Sequence, residues 1–213
     1  MSHANRGSLQ HASTLLIDDQ GIPTEQVLKR VPITPGESEG KGLYDEQWLQ
    51  RLVQRNPSTL PVEELEPGLG RLIPVGMELP TPAGSVDNLF VTPEGQLVVV
   101  ECKLWRNPEA RRRVLAQIID YASGMSSWNY DDLDKAISRC RTLQDQPVGK
   151  PLLEIVRESE PDINESRFID AVQRNLELGR MLLLVVGDGV REGAESLKAY
   201  LQQHAGFHFT LGL

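Results

Sequence analysis

Thirteen residues separate Asp87 from the tripeptide Glu101-Cys102-Lys103, which closes the apolar run Leu97-Val98-Val99-Val100. A buried strand excludes charge, so two ionisable side chains at its end need a reason. Residues two apart in a strand share a face, which sends Glu101 and Lys103 to one side and Cys102 to the other. Between Asp87 and the tripeptide lies Thr92-Pro93-Glu94-Gly95, a turn signal. An antiparallel hairpin centred near Glu94 would bring Asp87 opposite Glu101 to Lys103, so that two carboxylates and an ammonium converge at one end of a sheet. Two carboxylate oxygens helped by a backbone carbonyl, here that of Cys102, suit Mg2+ or Mn2+, hard ions that prefer oxygen and keep water. Such an ion acidifies a water and offsets phosphate charge, while a lysine orients the water and stabilises a pentavalent state. The chemistry that fits is hydrolysis of a phosphodiester. The bland alternative is a charge pair at a sheet edge, contributing about 0.2 to 1 kcal/mol.

The flanking elements must hold these groups. Upstream, LYDEQWLQRLVQRNP repeats Leu43, Trp48, Leu49, Leu52 and Val53 at helical spacing until Asn56-Pro57 ends the run. Asp45 and Glu46 fall in the first turn of that helix, where acidic side chains complement its dipole. Three short apolar runs follow, RLIPVGMEL, SVDNLFV and QLVVVECKLW, separated by PTPAG and TPEG, and they predict three strands. Past Asn107-Pro108, a second amphipathic helix carries Leu115, Ile118, Ile119, Ala122 and Met125 on one face. The stretch from about 129 to 178 reads as a helical insertion, with helices at DDLDKAISRCRTL and FIDAVQRNLEL and a loop at ESEPDINE. GRMLLLVVGDG predicts a buried strand, REGAESLKAYLQQHAG a helix and FHFTLGL a last strand. The order predicts an α/β domain over 43–213, with a mixed central sheet flanked by helices. Residues 1–42 form an N-terminal extension, disordered over the first dozen.

Bulk properties bound the function. A chain of 213 residues with 39% hydrophobic content builds one core without staples. Cys102 and Cys140 have neither zinc nor CxxC spacing, which points to a reducing, cytoplasmic setting. No stretch has the length of a membrane span. A net charge of −8 argues against gripping nucleic acid over the whole surface, yet residues 101–141 hold eight Lys/Arg against six Asp/Glu. The later stretch 145–177 holds four against eight, which leaves a locally basic surface on the earlier one.

Asp87, Glu101, Lys103 and this element order resemble the PD-(D/E)XK nuclease superfamily, and within it bacterial RecB-like members carrying a VECKLWRNPEARR-type segment. The resemblance implies a restriction-endonuclease-like core of helix, three strands, helix and strand. It implies metal ligands at Asp87 and Glu101, a catalytic lysine at Lys103 and a further acidic ligand at Glu46. Gln117 and Tyr121 match its QxxxY helix motif beside the active site. Val86 stands where the family name has proline. The activity so implied is Mg2+- or Mn2+-dependent cleavage of nucleic acid, DNA in preference to RNA.

Other residues are weighed beside these. Arg113, Gln117 and Tyr121 are spaced four apart on one helical stripe, which with Arg106 would contact phosphates, or else form an ordinary solvated surface. Arg111 and Arg112 point in other directions. Glu78 ends a predicted strand and could approach the site. Trp105, Trp128 and Tyr130 suit base stacking but more often serve as core. His204 and His208 flank Gly206 and lack the spacing of a metal helix. Two rivals stand against a nuclease: a silent nuclease-fold module that binds nucleic acid, and a carboxylate pair acting on a glycoside. Lys103 and the lack of an aromatic sugar platform weigh against the latter. A homodimer and a further C-terminal region are compatible with the sequence.

Overall fold

The computed structural model describes residues 15–17, 23–27, 45–104, 110–143, 149–187 and 210–212. The chain divides into two units at Pro32/Ile33. In the first, β1 (Leu15–Ile17) pairs antiparallel with β2 (Pro23–Val27). The predicted disorder of residues 1–12 falls outside the described residues, and β2 was not anticipated by the pattern.

The second unit is built on a five-stranded mixed sheet of order β3-β4-β5-β6-β7. Its first three strands are β3 (Ile73–Thr81), β4 (Gly84–Val91) and β5 (Leu97–Lys103), joined as antiparallel hairpins. The last two, β6 (Met181–Gly187) and β7 (Thr210–Gly212), run parallel to β5. Helix α1 (Glu46–Arg55) precedes the sheet, followed by a 3-10 turn at Pro57–Thr59 and a short α2 (Val62–Leu65). Helix α3 (Ala110–Met125) follows β5. This is the mixed α/β core that the sequence order predicts.

β5 is central, and both of its faces are covered, which is why it reads as an unbroken apolar run. Leu97 and Val99 pack with Leu115, Ile118, Ala122 and Met125 of α3 in one core cluster. Val98, Val100 and Cys102 face the other way and pack with Leu49 and Val53 of α1. Each fully buried aliphatic side chain contributes roughly 1.5 to 3 kcal/mol. Leu52 departs from the expected apolar stripe of α1, being 37% exposed, while Leu49 and Val53 are buried and Trp48 packs partly buried on the same cluster.

Among the described residues the insertion holds three helices rather than two: α4 (Tyr130–Leu143), α5 (Leu152–Ser159) and α6 (Glu165–Glu177). α5 was missed because its eight residues follow a Gly/Pro-rich stretch, yet Leu152, Leu153, Ile155 and Val156 are all buried. Trp128 and Tyr130 are half-buried against the same core, as aromatic core residues should be. Cys140 Sγ lies 2.6 Å from the Met77 carbonyl, tying α4 to β3 at the end of the sheet order. The predicted helix over 191–206, with His204, lies outside the described residues, as do Trp105 and His208.

Candidate active site

The β4–β5 hairpin sets the geometry. Thr92 N–H donates to the Gln96 carbonyl and Gly95 N–H to the Thr92 carbonyl, closing the turn. Gly95 has φ +80 and sits so close to α6 that a Cβ would lie 2.8 Å from Ala171 Cβ. From this turn the register runs Val91 to Leu97, Phe90 to Val98, Leu89 to Val99 and Asn88 to Val100. Continued by one step it sets Asp87 opposite Glu101, but backbone pairing stops at Asn88. There the Asp87 carboxylate takes over, its Oδ2 accepting the Cys102 N–H at 2.6 Å. The strands part at this end, and the gap is the C-terminal end of the parallel strands β5 and β6, where open α/β sheets bind ligands.

The other oxygen of Asp87 is held from α1: Gln50 Nε2 donates to Oδ1 at 2.7 Å. Next to Gln50, the fully buried Asn88 donates to the Gln50 carbonyl at 3.1 Å and to Gln54 Oε1 at 2.8 Å. Glu46 completes the row. Its Oε2 lies 3.0 Å from Lys103 Nζ, and its Oε1 accepts the Leu104 N–H at 3.1 Å. Glu46, Gln50 and Gln54 are four apart, so one polar stripe of α1 reaches Lys103, Asp87 and Asn88 in turn. Asp45 caps the helix, its Oδ1 accepting the Trp48 N–H at 2.7 Å, which is what aims this stripe at the strands. Sequence reasoning followed the apolar stripe and passed over Gln50, Gln54 and Asn88. The polar i, i+4, i+8 row beside a buried face was the available signal.

Glu101 is only 3% exposed, and its Oε2 has no hydrogen-bond partner. Burial pushes its carboxyl up to about 8, and the Asp87 charge adds to this while Lys103 opposes it. Burial likewise raises Asp87 to about 6; the Cys102 N–H works against this, and Glu78 works with it. Two neighbouring carboxyls that each resist ionisation mark a pocket short of positive charge.

Glu78 lies across from Asp87, between the pairs Met77 to Asn88 and Leu79 to Val86. It holds a left-handed φ of 54, unusual for a residue within a strand, while its exposed side chain accepts from Ser85 Oγ at 3.3 Å. It acts on the site through charge. On the opposite wall, Gln117 Nε2 donates to Tyr121 Oη. Tyr121 is 3% exposed and packs in the core while Arg113 is exposed, so the row Arg113, Gln117 and Tyr121 is not one ordinary solvated surface. Burial raises its phenol, Gln117 opposes this, and the carboxylates of Glu101, Asp87 and Glu78 raise it further. Arg113 is exposed. Arg106 lies outside the described residues, as do the side chains of Arg111 and Arg112.

Among the described residues, no group of three or more His, Cys, Asp or Glu side chains is arranged to hold a metal ion. Glu46, the expected third acidic ligand, has one oxygen on Lys103 and the other on the Leu104 N–H, as Asp87 has its two on Gln50 and the Cys102 N–H. The donor set at the parted strands is Asp87, Glu101 and neutral oxygens. It fits a small oxygen-seeking cation, since the buried Oε2 of Glu101 is an acceptor that lacks any donor. Cys102 turns its thiol into the opposite core, where burial raises it, and leaves its backbone at the gap.

No family model and no curated protein matches the chain. A search of solved structures finds the EndoMS–dsDNA2 complex, at 20% sequence identity and a TM-score of 0.34. The match covers 83% of this chain and 48% of that one, so the chain spans about half the length of that protein. No helix among the described residues is long and apolar enough to cross a membrane.

Proposed function

We propose that the protein is a metal-dependent nuclease that hydrolyses phosphodiester bonds of nucleic acid, DNA in preference to RNA. The observation that carries this reading is the buried, unpartnered Oε2 of Glu101 beside Asp87, at the end of a strand that also delivers Lys103. Asp87, Glu101 and the Cys102 carbonyl would hold Mg2+ or Mn2+. When bound, such an ion supplies a more acidic water and offsets negative charge on the phosphate.

The remaining work falls to the chain itself. Gln50 and the Cys102 N–H each take one oxygen of Asp87 and fix its orientation, so little reorganisation accompanies reaction. Glu101 gives up the proton it holds in the free chain when positive charge arrives. Lys103, whose side chain is 29% exposed, stands at the mouth of the gap, where its ammonium orients the attacking water and steadies charge gathering on the phosphate. Glu46 keeps that ammonium aimed. Gln117 and Tyr121 wall the gap from α3, and Arg113 contacts substrate phosphates further out.

The test is cleavage of single- and double-stranded DNA and RNA by the purified chain with Mn2+ and with Mg2+. Glu101→Ala and Lys103→Ala should each slow cleavage by roughly a thousandfold, about 4 kcal/mol of transition-state stabilisation. Cleavage that survives both substitutions would belong to a contaminant, and the reading would fail.

A further inference from the structure

Two buried side-chain oxygens among the described residues have no hydrogen-bond partner, Glu101 Oε2 and Gln50 Oε1. They flank the same group. Gln50 is 6% exposed and binds Asp87 through the amide nitrogen next to its orphaned oxygen, while Glu101 faces Asp87 across the parted strands. An orphaned buried acceptor costs about 1 to 3 kcal/mol, so a folded protein keeps one only where something arrives to satisfy it. Once Glu101 is ionised, both oxygens are acceptors and Asp87 between them is an acceptor too. A cation held beside Asp87 is one group that would serve both.

The amide orientation follows from its neighbour: Asp87 Oδ1 accepts, so the nitrogen of Gln50 faces it, which leaves the oxygen of the same amide without a donor. The backbone of Gln50 is pinned as well, since its carbonyl accepts from the fully buried Asn88. The side chain thus has little freedom to turn its oxygen towards solvent. Resting on the nuclease reading above, we propose that Gln50 belongs to the cation site, its Nε2 positioning Asp87 and its Oε1 serving as an uncharged oxygen donor alongside Glu101. A neutral donor is what a site with two closely placed carboxylates can accept, since a third charge would add to their repulsion. Mg2+ and Mn2+ both take oxygen donors of this kind.

The experiment is calorimetric titration of the intact chain with Mn2+ alone, without nucleic acid, at pH 8.5, with circular dichroism to check folding. Wild type should bind, and Asp87→Asn should abolish binding. Gln50→Met, which keeps the length and removes both polar atoms, should weaken Mn2+ binding at least tenfold. A folded Gln50→Met that binds Mn2+ like wild type, while Asp87→Asn does not bind, would overturn this inference and leave the nuclease reading standing. If Gln50→Met does not fold, a folded Gln50→Leu that binds Mn2+ like wild type would overturn it equally. Wild type that binds no Mn2+ would defeat both.

Discussion

Lys103 Nζ lies 3.0 Å from Glu46 Oε2, and the second oxygen of that carboxylate accepts the backbone N–H of Leu104 at 3.1 Å. One residue of α1 therefore aims the lysine and anchors the strand end that carries it. With both partners about a third exposed, the pair adds only about 0.2 to 1 kcal/mol to stability. Its value lies in orientation. Glu46→Ala should slow cleavage about 10- to 100-fold while Mn2+ affinity stays within about twofold. Cleavage kinetics and Mn2+ titration on the same preparation check this, and parallel losses would return Glu46 to the cation site.

The metal-free chain should lose stability as pH rises. Glu101 and Asp87 hold their protons to about pH 8 and about 6. In the unfolded chain such groups titrate near pH 4. The stabilisation from those held protons is complete below about pH 4 and disappears as pH climbs through 6 and then 8. Thermal unfolding in EDTA should show Tm falling across that window, and Mn2+ should raise Tm more at pH 8.5 than at pH 6, because it competes with the protons. A Tm that rises with pH in EDTA would contradict the buried pair.

Glu101→Gln removes a charge that the fold resists and keeps the shape. Cleavage should vanish while Tm at pH 8.5 in EDTA rises by several degrees, the exchange of stability for function expected of a strained site. A lower Tm, read by calorimetry under those conditions, would mean that the glutamate stabilises the resting fold.

Gly95→Ala tests the turn that sets the register. At φ +80, with a Cβ placed 2.8 Å from Ala171 Cβ and 2.9 Å from the Val172 nitrogen, alanine meets both strain and backbone. The loss should be roughly 2 to 4 kcal/mol by urea unfolding. Asn175, which donates to the Gly95 carbonyl at 2.9 Å, is the neighbouring brace, and Asn175→Ala should cost less, about 1 kcal/mol.

Arg113→Ala should weaken nucleic-acid binding with little regard to sequence and reduce the slope of log affinity against log salt by about 1. Its exposure predicts near-neutral stability. An unchanged salt slope in a filter-binding titration would place the phosphates elsewhere.

Much of the core was legible beforehand, because β3, β4, β5, β6 and α3 each carry a continuous apolar signal between clear turns. The hairpin spacing even brought Asp87 to Glu101. α2 and α5 escaped notice because they are short, and their helical state is decided by what they pack on. Gln50 and Asn88 escaped for a different reason. A glutamine on a helix reads as solvent-facing until the partner that buries it is known.

What the sequence determined by itself is the set of chemical groups and their local frame: a rigid apolar strand ending in Glu101 and Lys103, and a turn that returns Asp87 to it. Strand alternation and hairpin spacing are short-range rules, so residues close along the chain suffice to state them. Only the tertiary structure decided how those groups are held. Gln50 reaches Asp87 from 37 residues away and Glu46 reaches Lys103 from 57, and no local periodicity carries contacts of that span. Burial of Glu101 is likewise a property of everything packed around it, and it is burial that turns an ordinary carboxylate into one lacking a partner.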